Sequence, residues 1–304
     1  MPSSSSAKWT AADLPDLSGR TVVVTGASSG LGAVTARELA RAGAHVVLAV
    51  RDVAKGERVA ASFAGSWEAR PLDLASLASV RAFAGAWSGD LDILINNAGI
   101  MAVPQGRTED GFELQIGTNH LGHFALTNLL LPHVTDRVVS VSSGAHRIGR
   151  IDLDDLNWER RRYDRWRAYG QTKLANLLFT KELQRRLDEA GSPVRAVAAH
   201  PGYASTHLQS HTGSRVQHVL MATIGNRLLA QSDEMGALPT LFAATQEIPG
   251  DSFVGPDGFA EQRGHPRLVG RTKAAQDADV ARRLWELSEQ LTGVRSGVAG
   301  VAAA

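Results

Sequence analysis

Thr21-Val22-Val23-Val24-Thr25-Gly26-Ala27-Ser28-Ser29-Gly30-Leu31-Gly32 is the stretch that decides the fold. Its first five residues are all β-branched, which suits a strand buried on both faces. Leu31, Val34 and Leu39 then recur at helical spacing until Gly43, which is a natural helix stop. The pattern predicts a strand over Thr21–Thr25 and a helix over Leu31–Ala42. Between them, glycines 26, 30 and 32 remove the side chains that would keep backbone N–H groups from a bound anion. A strand, a glycine turn and a helix N-terminus in that order form a pyrophosphate-binding arrangement. A glycine turn alone would also serve any tight strand-to-helix junction.

The same alternation continues outward. Strands are expected at Val46–Val50, Trp67–Leu72, Leu91–Ile95, Arg137–Val141, Val194–Ala199 and Phe253–Val254. Helices are expected at Lys55–Ala64, at Ser76–Trp87 with Ser76 as cap, at Gly111–Leu131, at Tyr169–Ala190 and at Asp277–Leu291. Strands alternating with helices imply right-handed crossovers and a parallel sheet covered on both faces. The expectation is a single doubly wound α/β domain of the Rossmann type, with about seven strands, over residues 19–292. Residues 1–18 and 293–304 read as flexible tails, because Ser3–Ser6 is low-complexity and the chain ends in small residues. Residues 203–235, with Leu208, Val216, Leu220 and Ile224, read as an apolar substrate lid.

Composition narrows the function. Lys plus Arg is 32 and Asp plus Glu is 31, so no basic excess points to nucleic acid. With no Cys in the chain, disulfides, thiolate metal sites and a Cys nucleophile are excluded. There is no run of 18 apolar residues and no apolar leader, so a cytoplasmic protein away from the membrane is expected. His120/His123 and His207/His211 have ligand-like spacings but lack a third partner, so no metal is expected.

Further motifs follow the glycine turn in order. Asn96-Asn97-Ala98-Gly99 follows the fourth strand. Asp73-Leu74 follows the third. Tyr169 and Lys173, four apart, share one helix face. That lysine stands out in a chain with 27 Arg and 5 Lys, since a guanidinium cannot replace a compact ammonium donor. Ser142-Ser143 ends the fifth strand, Asn119 lies in a helix, and His200-Pro201-Gly202 is followed by Tyr203 and Thr206.

Taken together these motifs resemble the short-chain dehydrogenase/reductase family. The resemblance implies that Gly26, Ser28, Ser29, Gly30, Leu31, Gly32, Arg51, Asp73, Leu74, Asn97, Ala98, Gly99, Pro201, Gly202 and Thr206 border a nicotinamide cofactor, together with Tyr169 and Lys173. It implies a catalytic set of Asn119, Ser143, Tyr169 and Lys173, with Ser142 as the alternative serine. Ser143, Met101 and Tyr203 would face the substrate. The 25 residues 144–168 between Ser143 and Tyr169, twelve of them charged, are similar to the retinol dehydrogenase and protochlorophyllide reductase branch. NADP(H) is the expected cofactor, because Val50 stands where an NAD-binding acid would sit and Arg51 follows it. Lys173 and the cationic nicotinamide are together expected to lower the Tyr169 phenol, because nearby positive charge favours phenolate. The implied activity is hydride exchange with a mainly apolar small-molecule carbonyl or alcohol, possible homo-oligomer formation included. The alternatives are C=C reduction on the same fold, or a regulator that binds the cofactor without chemistry.

Overall fold

The computed structural model describes residues 8–202 and 232–298. Strands β1 (Thr21–Thr25), β2 (His45–Val50), β3 (Ser66–Pro71), β4 (Leu91–Asn96), β5 (Val134–Val141), β6 (Arg195–Ala199), β7 (Phe253–Pro256) and β8 (Pro266–Leu268) form one sheet in the order 3-2-1-4-5-6-7-8. All neighbours are parallel except β7 and β8. The strand order reverses between β1 and β4, and the crevice beyond their carboxyl ends is the place where such sheets bind ligands. Both Gly26 and Asn97 lie there.

Helices α1 (Gly30–Arg41), α2 (Val53–Ala60), α3 (Leu77–Gly85), α4 (Leu114–Ile116), α5 (Gly122–Leu130), α6 (Arg165–Glu189), α7 (Asp233–Thr245) and α8 (Ala278–Thr292) cover the faces. The two-residue period of the strands divides the core. Val22, Val24, Ile93 and Ile95 pack with Leu39 of α1 and Leu241 of α7, while Val23 and Leu94 pack with Phe83 of α3 and Phe124 of α5. Both faces are buried, which is why the strands read as continuous apolar runs.

The structure corrects several expectations. The sheet has eight strands, because the hairpin after β7 adds the short antiparallel β8, whose three residues carry no β-branched pattern. The helix expected over Gly111–Leu131 is broken into α4, a π turn (Gly117–Leu121) and α5. Helix α7 escaped the periodicity because Gly236 and Pro239 interrupt it. Ser232 caps this helix, so the end of the expected lid belongs to it; residues 203–231 of that lid lie outside the described residues. The buried guanidinium of Arg137 donates to Ala243 O and Gln246 O at the carboxyl end of α7, where a cation complements the helix dipole.

The segments read as tails are anchored where they are described. Leu17 is buried and its N–H donates to Ala42 O at 2.7 Å. Trp9 packs edge-on against Phe242. At the other end, Gly293 closes α8 in the left-handed conformation, Val294 is buried, and Gly297 N–H donates to Asn128 Oδ1. No helix among the described residues is long and apolar enough to cross a membrane.

Candidate active site

The turn after β1 is built around Thr25. Its hydroxyl oxygen accepts the N–H groups of Asn97 and Ala98, both at 2.9 Å, and Asn97 Nδ2 donates to Thr25 O at 2.8 Å. These bonds fuse the glycine turn to the Asn96-Asn97-Ala98-Gly99 turn. Close packing explains the glycines. A Cβ on Gly32 would stand 2.5 Å from both Asn97 Nδ2 and Gly26 O, and one on Gly26 would stand 2.9 Å from the Ala98 Cβ. Gly26 and Gly30 also have φ of +69° and +51°, a region that glycine enters without strain. Ser29 occupies the N-cap of α1 with no side-chain bond to the helix, so the first-turn donors near Ser28, Gly30 and Leu31 remain open to an anion.

At the end of β2, Val50 is buried and Arg51 is exposed, and Arg51 enters no ion pair among the described residues. Asp52 is committed elsewhere: its carboxylate caps α2 by accepting Lys55 N–H at 2.9 Å. Asp73 accepts Ala75 N–H at 2.9 Å beside the buried Leu74, a turn contact that leaves its second carboxylate oxygen outside that bond. Pro201 and Gly202 follow β6. Thr206 and Tyr203 lie outside the described residues.

Tyr169 and Lys173 lie one turn apart on α6, which Asp164 caps through Trp166 N–H and Arg167 N–H. The phenol is buried beside the Ser143 side chain. Burial pushes it up to about 12, against the pull of the Ser143 side chain. Loss of hydration penalises the charged phenolate. Lys173 is itself pulled down to about 8 by burial. Its Nζ donates to Val141 O at 3.0 Å and lies 5.7 Å from the Tyr169 ring centroid. The two serines differ: Ser142 is turned inward and donates to Lys173 O at 2.8 Å, whereas Ser143 Oγ accepts Ala145 N–H at 3.2 Å and bears on the phenol.

The Asn119 side chain is fully used. Its Oδ1 accepts Ile100 N–H at 2.8 Å, and its Nδ2 donates to Ile100 O at 2.8 Å and Thr172 Oγ1 at 3.1 Å. What it offers is its backbone carbonyl, in the π turn. There His123, whose spacing from His120 suggests only a metal-like pair, ties the π turn to β1. Its Nδ1 lies 3.1 Å from Asn119 O and its Nε2 lies 2.9 Å from Thr25 Oγ1. A carbonyl only accepts, so Nδ1 carries the proton and Nε2 accepts from the threonine. Burial holds this ring neutral, down to about 4. His120 is likewise buried and bonded to Ser288, so both rings serve the fold. The four-residue step from Asn119 to His123 was the available signal.

Met101 follows the fused turns and is half-buried. Its neighbour Ala102 is fully buried with φ of +50°. Gln115, missed by the sequence motifs, accepts Ala102 N–H at 2.8 Å.

The sequence matches the short chain dehydrogenase family over residues 20–217, and the chain belongs to that family of oxidoreductases acting on CH–OH and C=O groups. Within it the chain is similar to the retinol dehydrogenase branch. It is 45% identical over 296 residues to retinol dehydrogenase 13 of Homo sapiens, covering 91% of this chain and 86% of that protein. Among solved structures, an uncharacterized protein from Mycobacterium paratuberculosis is 60% identical, with a TM-score of 0.84 over 95% of this chain and 99% of that one. A 3-ketoacyl-(acyl-carrier-protein) reductase from Brucella melitensis complexed with NADH is 28% identical, with a TM-score of 0.57 over 77% and 95%.

Proposed function

We propose that this protein exchanges a hydride between NADP(H) and a mainly apolar carbonyl or alcohol, with Tyr169 as general acid and base. The observation that carries this is the convergence of Tyr169, Ser143 and Lys173 beside an open glycine turn at the reversal point of the sheet. The residues fit a dinucleotide: the cradle between Gly26, Gly32 and Asn97 has no room for side chains, and the α1 terminus is uncapped. Ser28, Ser29, Gly30 and Leu31 would hold its pyrophosphate. The cofactor supplies the hydride chemistry. Ser143 hydrogen-bonds the substrate oxygen and orients it toward the phenol. Tyr169, protonated at neutral pH, gives its proton to that oxygen during reduction. Lys173 supplies positive charge beneath the phenol, and Asn119 braces the loop that carries Met101.

The preference for NADP(H) rests on Val50 and Arg51. A 2′-phosphate there meets no carboxylate, and a guanidinium is free to pair with it. Dissociation constants for NADPH and NADH, measured by quenching of tryptophan fluorescence, test this. NADPH should bind at least tenfold tighter, and Arg51→Ala should remove most of that difference, since a charged hydrogen bond contributes about 1.5–3 kcal/mol. Equal or tighter NADH binding would overturn the preference. A panel of ketones and aldehydes with NADPH, followed by loss of nucleotide absorbance, tests the chemistry.

A further inference from the structure

The charged segment 144–168 is a folded strap, and its hydrogen bonds lead to the loop behind Met101. Asp155 accepts the N–H groups of Glu159, Arg160 and Arg161, which folds the segment back on itself. The Arg161 guanidinium covers the Trp158 ring at 3.7 Å, and Trp158 packs edge-on against Tyr163 at 5.7 Å. The Tyr163 hydroxyl ends this stack. It accepts from Gln115 Nε2 at 2.8 Å and has Glu113 Oε1 at 3.0 Å and Val103 O at 3.2 Å as acceptors for its one proton. Glu113 in turn accepts the N–H groups of Gln115 and Ile116, and its own N–H donates to Asn157 Oδ1.

Three side chains therefore grip consecutive parts of one loop. Asn119 holds both backbone groups of Ile100, Gln115 holds Ala102 N–H, and Tyr163 reaches Val103 O. Met101 stands between the held residues. Ala102 needs such support, because a non-glycine residue in the left-handed region is strained by about 1 kcal/mol or more. Without its partners it would relax toward negative φ and carry Met101 with it. The hydroxyl of Tyr163 links the strap to this loop both directly and through Gln115.

Resting on the proposed carbonyl chemistry with Met101 beside the substrate, we infer that Tyr163 is a positioning residue which, through Gln115 and Val103, sets the place of Met101 and hence the substrate bulk the site accepts. Only one atom of Tyr163 makes these bonds, so Tyr163→Phe keeps the ring stack, frees Val103 O and leaves Gln115 Nε2 held by Arg165 O alone, at 3.0 Å.

Two measurements on the full chain test this. Hydrogen exchange over residues 100–105 should accelerate roughly fivefold in Tyr163→Phe, as expected for loss of one hydrogen bond from the network. With NADPH, kcat/KM for a bulky aromatic ketone should fall roughly tenfold through KM, while a small ketone such as acetone changes less than twofold. The Kd for NADPH should not move, which a general loss of structure would not allow. If Tyr163→Phe fails to fold, Gln115→Asn withdraws the same grip by one methylene and should give the same pattern. Unchanged exchange over 100–105, or an equal loss for small and bulky ketones, would overturn the inference. If wild-type protein reduces no carbonyl at all, the proposed chemistry and the substrate half of this inference both fall, and the exchange rates separately decide whether Tyr163 holds the loop.

Discussion

Replacing Lys173 with Met should make the protein more stable and inactive. The ammonium is buried within the fold, and burial alone moves it from 10.5 to about 8. That displacement corresponds to about 3 kcal/mol of unfavourable free energy for the charged form at neutral pH. Methionine matches the length of the stem and carries no charge. The acceptor is not orphaned, since Val141 O keeps Asn176 Nδ2 at 3.2 Å. Allowing about 1 kcal/mol for the lost Lys173 bond leaves a gain of about 2 kcal/mol, or a rise in Tm of about 3 °C. The pH dependence identifies the cause. Below pH 8 the folded protein carries the buried charge and the whole penalty is present. Between pH 8 and 10.5 the folded protein has released a proton that the unfolded chain still binds, so wild-type stability rises relative to Lys173→Met. The advantage of the variant should shrink across that window and reverse near pH 10. Urea unfolding of both proteins at pH 7 and pH 10, without nucleotide, measures it, and comparing variants cancels the other titrating groups. A variant less stable than wild type at pH 7, or a difference independent of pH, would refute the reasoning.

Other substitutions separate roles that neighbouring residues play. Tyr169→Phe should reduce turnover at least a thousandfold and leave NADPH affinity within about twofold, since only the acidic hydroxyl is lost; a retained rate on a verified substrate would remove Tyr169 as the acid. Ser142→Ala should lower stability by about 1 kcal/mol in urea unfolding and spare catalysis, because its hydroxyl bonds Lys173 O. Ser143→Ala should lower kcat/KM roughly a hundredfold as well as costing about 1 kcal/mol for the lost cap bond to Ala145 N–H. Leu17→Ala should destabilise the protein by about 3 kcal/mol, as for other buried leucines; a change under 0.5 kcal/mol would show that the N-terminal segment is not anchored in solution.

The sequence by itself determined the sheet and the order of its motifs. Runs such as Val22–Val24 and Ile93–Ile95 encode strands through local sterics and two-sided burial, and the glycine turn marks where β1 delivers the chain to α1. The four-residue step from Tyr169 to Lys173 puts both on one face, because helix geometry is a local property. Tertiary structure decided what depends on distant partners. Ser142 and Ser143 are equivalent in sequence, yet the one-residue step turns one hydroxyl inward to Lys173 O and the other toward the phenol. The phenol rises because the surrounding fold buries it. Leu17 is pinned by Ala42, and Val103 by Tyr163 sixty residues away. Such contacts close long loops and are selected by the packing of the whole chain, so no local period announces them.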